Sequence, residues 1–114
     1  MDNSKYIDEI INKLKLINPY LIILFGSYAN GTQNEDSDID ILVVTNDDFM
    51  PSTFQERLEY RLSVKKIIRN ISKEVQIDML VYSRAMFQEF IKLNSNFAKE
   101  ILTNGKKLYE AVNS

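Results

Sequence analysis

The chain has no cysteine and no histidine among its 114 residues. The first absence excludes disulfides and thiolate metal sites, and the second removes the commonest general base and the usual zinc ligand. Catalysis, if any, must therefore rest on carboxylates, hydroxyls and metal. No apolar run approaches the ~20 residues of a membrane span. Met1-Asp2-Asn3-Ser4 lacks the basic flank and apolar core of a signal peptide, so a cytoplasmic location with no membrane association is expected. Clustered positive charge is missing as well. A net charge of −2 and a pI near 5.1 argue against general binding to nucleic acid, because phosphate contacts need grouped Lys and Arg. With 45% hydrophobic residues, residues 1–114 are expected to form a single domain around a real core.

The most telling absence is local. From Leu16 to Gln55 there is no lysine or arginine, yet the segment holds six acids: Glu35, Asp36, Asp38, Asp40, Asp47 and Asp48. Like-charged carboxylates brought together must take up protons, cations or a basic partner. Within this segment the apolar run Leu21-Ile22-Ile23-Leu24-Phe25 ends in Gly26-Ser27, and a second run starts at Asp38-Ile39-Asp40. On a strand, residues two apart share a face and sit roughly 6.6 Å apart. Asp38 and Asp40 can therefore converge on a centre whose two ions are about 3.5 to 4 Å apart, while Ile39 and Ile41 face the packed side. All-oxygen ligation suits magnesium, with manganese as the other fit. The competing reading is a solvated acidic turn over 34–38.

Only three glycines are present, and two of them, Gly26 and Gly31, flank Ser27. Glycine after a buried strand lets the backbone approach a phosphate, with a short helix opening behind it and Ser27 adding a hydroxyl. Gly26 and Ser27 are thus the candidate nucleotide-binding residues. Asn30-Gly31 is alternatively the turn of a plain hairpin. A third acid, Asp78, stands within the apolar run Val75-Gln76-Ile77-Asp78-Met79-Leu80-Val81. A buried, unpaired aspartate is expensive, so Asp78 should border a cavity, metal or partner; otherwise it faces solvent at a sheet edge. Beside the Asp38 strand it would ligate the second metal and take a proton from an attacking hydroxyl.

The remaining pattern predicts a helix over 4–17, strands over 21–25 and 39–45, and a helix over 52–71 begun by a Ser52/Gln55 capping box. The buried side of that helix should include Phe54, Leu58, Leu62 and Ile68. A strand over 76–82 and helices over 84–93 and 95–103 follow, the last capped by Gly105, with a short edge strand over 107–109. Arg57, Arg61, Lys65 and Arg69 recur every four positions. They read as a solvated helix face paired with Glu56 and Glu59. The expected fold is α/β, a small mixed β-sheet with helices packed mainly on one face.

Gly26-Ser27, then Asp38-Ile39-Asp40, then Asp78 resembles the minimal nucleotidyltransferase family of the DNA polymerase beta superfamily, and the segment from Glu100 to Glu110 resembles the usual end of such proteins. Tyr28 and Asn30 stand where many members carry arginines. The resemblance implies the nucleotidyltransferase fold, ATP as substrate and two Mg2+ ions. It also implies catalytic and metal-binding roles for Asp38, Asp40 and Asp78. Stand-alone members are antitoxins that transfer AMP to a tyrosine of a HEPN-domain ribonuclease toxin, so that toxin is the expected partner. Two alternatives remain at this stage: a non-catalytic antitoxin that occludes its toxin, and a small-molecule nucleotidyltransferase.

Overall fold

The computed structural model describes residues 4–34 and 36–111. Helix α1 (Ser4–Leu14) turns the fully buried Ile10 and Leu14 inward and tightens into a 3-10 turn over Lys15–Ile17. It ends where Asn18 takes a left-handed conformation before Pro19. Strand β1 (Leu21–Phe25) leads into the one-turn helix α2 (Ser27–Asn30), and β2 (Ile39–Val44) returns antiparallel to β1. Asn30-Gly31 is therefore not a tight hairpin turn; Gly31, in the left-handed conformation, stops α2.

Strand β3 (Ile77–Tyr82) runs parallel to β2. A parallel pair requires a long crossover, which is supplied by α3 (Phe54–Lys65), a 3-10 turn over Lys66–Ile68 and α4 (Arg69–Ser72). Helices α5 (Arg84–Leu93) and α6 (Asn96–Asn104) precede β4 (Lys106–Glu110), which pairs antiparallel with β1. The sheet order is β3-β2-β1-β4, so β2 and β1 are central.

The mixed sheet and α/β class are as expected, but helices cover both faces. Ile22, Leu24, Ile39, Ile41, Val43, Met79 and Val81 pack with Ile10, Leu14, Val64 and Ile68 on the larger side. The alternate positions Leu21, Ile23, Leu42 and Val44 meet Phe87 of α5 and Ile101 of α6 on the other. Burial on both faces explains why β2 is apolar throughout except at Asp40.

The long crossover departs most from expectation. Its cap is Thr53, whose hydroxyl accepts from the Glu56 amide at 3.0 Å, while the Ser52 amide donates to Glu56 Oε1, also at 3.0 Å. The cap thus lies one residue beyond Ser52. Ile68 is buried as expected and Leu58 half-buried, but Phe54 is 80% exposed and Leu62 51%, and the core side runs through Tyr60, Val64 and Ile71 as well as Ile68. The 3-10 turn over Lys66–Ile68 lets Ile68 and Ile71 both reach the core. Gly105 does occupy the end of α6, though in extended conformation. A side chain there would overlap the Ile101 carbonyl and come within 2.6 Å of Ile23 Cγ2, so its role is close approach to β1.

A polar latch joins α3 to the end of β2. The Tyr60 hydroxyl hydrogen-bonds the Thr45 hydroxyl and donates to the Asp47 carboxylate at 3.0 Å, with Phe49 stacked on its ring at 4.7 Å. Burial, with the neighbouring Asp47, pushes the Tyr60 phenol up to about 12. The neutral phenol is favoured in the folded state, so its contribution is complete below the ordinary tyrosine value of 10 and is lost as pH rises toward about 12. Denaturant unfolding across this alkaline range should show a shallower loss of stability for Tyr60→Phe than for the parent; identical slopes would refute the latch.

Candidate active site

Three carboxylates meet at one end of the sheet. Asp40 is the second residue of β2, and in the parallel register it lies directly beside Asp78 of β3. Neighbouring strands are about 4.8 Å apart, so the two side chains rise from one face as neighbours. Asp38 stands exposed, one residue before β2 begins. Ile39 and Ile41 are fully buried on the opposite face, as the alternation predicts. Asp78 is exposed rather than buried. Its strand is an edge strand, so the acid faces water without the desolvation its apolar neighbours suggested.

The glycine-serine turn touches this group. Gly26 has φ +73° and ψ −152°, a conformation open essentially to glycine alone. A Cβ there would also overlap the Asp40 carboxylate. Backbone strain and close approach thus both require glycine where β1 ends. Ser27 follows as the first residue of α2, half-buried, and the Gly26 carbonyl is bonded by the amides of Ala29 and Asn30 at 3.1 Å. Phe25 completes the register as the cross-strand partner of Asp40. All five residues singled out in the sequence are therefore brought to one end of β1, β2 and β3.

Burial raises the Asp40 carboxyl above its ordinary value, and the negative charges of Asp78 and Asp38 raise it further. Such a group gains more than an ordinary carboxylate from a positive charge placed beside it. The donors are all hard oxygens, which fits magnesium or manganese. Among the described residues no three acidic side chains close into a ready-made ion cage. An ion here would need further oxygens from a ligand such as a phosphate.

The basic stripe behaves differently from its expected pairing. Glu56 accepts from the Ser52 amide and Glu59 from the Gln55 side chain at 3.0 Å. Among the described residues neither acid forms an ion pair with Arg57, Arg61, Lys65 or Arg69. Arg57 lies over the Tyr82 ring, 5.9 Å from its centre. What sequence reasoning missed at the site is Phe97 of α6, which meets Phe25 edge-to-face at 5.8 Å. Apolar spacing marks such a residue as helix face and carries no sign of the distant strand it touches.

A glycine-serine turn lies beside clustered carboxylates on a mixed sheet, and comparison with known proteins gives the class. The nucleotidyltransferase domain model matches residues 5–109, and the chain belongs to this family. A protein of Methanocaldococcus jannaschii assigned as a protein adenylyltransferase is 36% identical over 115 residues, covering 96% of this chain and 100% of the relative. A solved toxin-antitoxin with AMP-PNP is 26% identical, with a TM-score of 0.57, over 91% of this chain and 73% of that one. The MntA-HpeT toxin-antitoxin carrying two Asp-to-Glu substitutions is 25% identical, with a TM-score of 0.55, over 91% and 73%.

Two substitutions test the geometry. Gly26→Ala should destabilise the protein by about 1–3 kcal/mol, the cost of forcing a side chain into such a conformation, as read by denaturant unfolding. Asp40→Asn removes a charge held in place against burial and two like neighbours. It should raise the thermal midpoint at neutral pH. A lowered midpoint would mean that the carboxylate contributes to stability rather than straining it.

Proposed function

We propose that this chain is an antitoxin that works as a protein adenylyltransferase, moving AMP from ATP to a tyrosine hydroxyl of a HEPN-domain ribonuclease toxin, with residues 1–114 as one nucleotidyltransferase domain. The observation that carries this reading is the meeting of Asp38, Asp40 and Asp78 beside Gly26 on an open end of the sheet. The toxin-antitoxin structure with AMP-PNP supports the nucleotide and the kind of partner. The substituted aspartates of MntA-HpeT are two positions apart, the spacing of Asp38 and Asp40.

In this reading Gly26 and Ser27 receive the triphosphate, because only a residue without a side chain lets phosphate and the Asp40 carboxylate share that space. Asp38, Asp40 and Asp78 are the residues that would hold magnesium, two ions or their manganese equivalents, which supply charge neutralisation on the phosphates. Asp78 faces solvent and accepts the proton of the incoming tyrosine hydroxyl. The new bond joins that oxygen to the α-phosphorus, and the bridge to the β-phosphate breaks, releasing pyrophosphate. Positioning and electrostatics carry the rate. Exposure of Asp38 and Asp78 suits an acceptor that brings its own surface, as a folded protein does.

The test is the intact mass of a HEPN-domain toxin after incubation with the chain, ATP and magnesium. The toxin should gain one or more AMP units, and Asp38→Ala/Asp40→Ala should abolish the gain. Equal gain with the double variant would defeat the assignment. Full neutralisation in EDTA without nucleotide would instead establish occlusion by the acidic surface.

A further inference from the structure

The acidic end of the sheet adjoins a set of aromatic rings on the same face. Phe25 is the register partner of Asp40 and directly precedes Gly26. Phe97 meets Phe25 edge-to-face at 5.8 Å and Phe90 edge-to-face at 6.1 Å, while Phe90 contacts Tyr82 at 5.1 Å. The interplanar angles at Phe97 are 81° and 82°, so both neighbours hold it by T-shaped contacts. Among the described residues no ring stacks flat upon it.

Phe97 is nevertheless 48% exposed, whereas Phe87 on the adjoining helix is 8% exposed. Its position is well fixed: it is the second residue of α6, whose cap Ser95 accepts from the Ala98 amide at 3.0 Å, and Ala98 beside it is buried. The result is a half-exposed ring at the start of α6, in direct contact with Phe25, the last residue of the strand that ends in the glycine-serine turn. A planar, neutral, aromatic group is the ligand chemistry such a surface takes, and base–aromatic stacking is tolerant of which base it is.

We propose that Phe97 is the stacking platform for the nucleobase of the nucleotide whose phosphates lie at Gly26 and Ser27. This rests on the function proposed above and extends it by assigning the base a place, between the carboxylate end of the sheet and the start of α6. Phe25 acts as the spacer. Its ring separates the phosphate turn from Phe97 and orients it, so the nucleoside bridges from Asp40 across Phe25 to the exposed ring. Discrimination among bases is weak at such a surface, and ATP selection over other triphosphates would come from elsewhere.

The experiment compares ATP with inorganic tripolyphosphate, which has the phosphates and no base, by calorimetric titration in magnesium against the parent chain, Phe97→Leu and Phe97→Tyr. Leucine keeps apolar packing on Phe25 and removes the flat ring; tyrosine retains it. Phe97→Leu should weaken ATP about tenfold, within the range found when stacking rings are truncated, and leave tripolyphosphate unchanged. Phe97→Tyr should bind ATP as the parent does. Unchanged ATP affinity in Phe97→Leu overturns the platform and leaves the exposed ring to a partner protein. An equal loss of both ligands overturns it too, as damage to the turn. If the parent binds neither ligand, the nucleotidyltransferase reading fails along with it.

Discussion

The parallel pairing of β2 with β3 is the constraint on which this protein depends. It places Asp40 beside Asp78 by backbone register alone, without a side-chain bond to draw them together. Burial and the charges of Asp78 and Asp38 make Asp40 harder to ionise, and the ladder of amides and carbonyls holds it there. The Gly26 conformation is the second half of the same arrangement. It is open to glycine without strain, and it leaves the Asp40 carboxylate room that any side chain would take. Stability is given up at one end of the sheet in return for a concentrated negative field, a common trade at sites that must receive a cationic or metal-bearing ligand.

The larger core supports this end from below. Ile39 and Ile41 alternate with the acids and are fully buried against the α1 and α3 side, so the strand cannot rotate its carboxylates inward without exposing them. On the acid face, α5 and α6 cover Leu42 and Val44, and Asp40 lies beyond them toward the start of the strand. The same face is thus dry core at one end and chemical surface at the other. Phe25 marks the boundary.

Much of this was legible in residue order, and the exceptions have definite causes. Apolar runs bounded by Gly26-Ser27 and Asp38 located β1 and β2, and their geometry follows from period two. Asp78 was legible as a strand acid with solvent at a sheet edge as the alternative to burial, and composition left the two open, because an edge strand with one covered face and one partly covered face has the same apolar composition as a central one. Ile68 was placed correctly, but Phe54 and Leu62 were not, because the buried stripe of α3 passes through Tyr60, whose polar tip bonds Thr45 and Asp47. The capping position slid by one since Ser52 and Thr53 are both competent and Glu56, not Gln55, reaches back. The share of helices on the second face was underestimated, since amphipathic spacing states that a helix packs and not on which side.

Strand position also separates the three acids mechanically. Asp40 belongs to a strand laddered to neighbours on both sides, and Asp38 leads straight into it, whereas Asp78 belongs to a strand joined along one side alone. Border strands loosen at lower free energy than interior ones. Asp40 is anchored on an interior strand and Asp78 on a border strand, so in the proposed reaction adjustment to differently shaped incoming groups would fall to Asp78 while Asp40 keeps its aim.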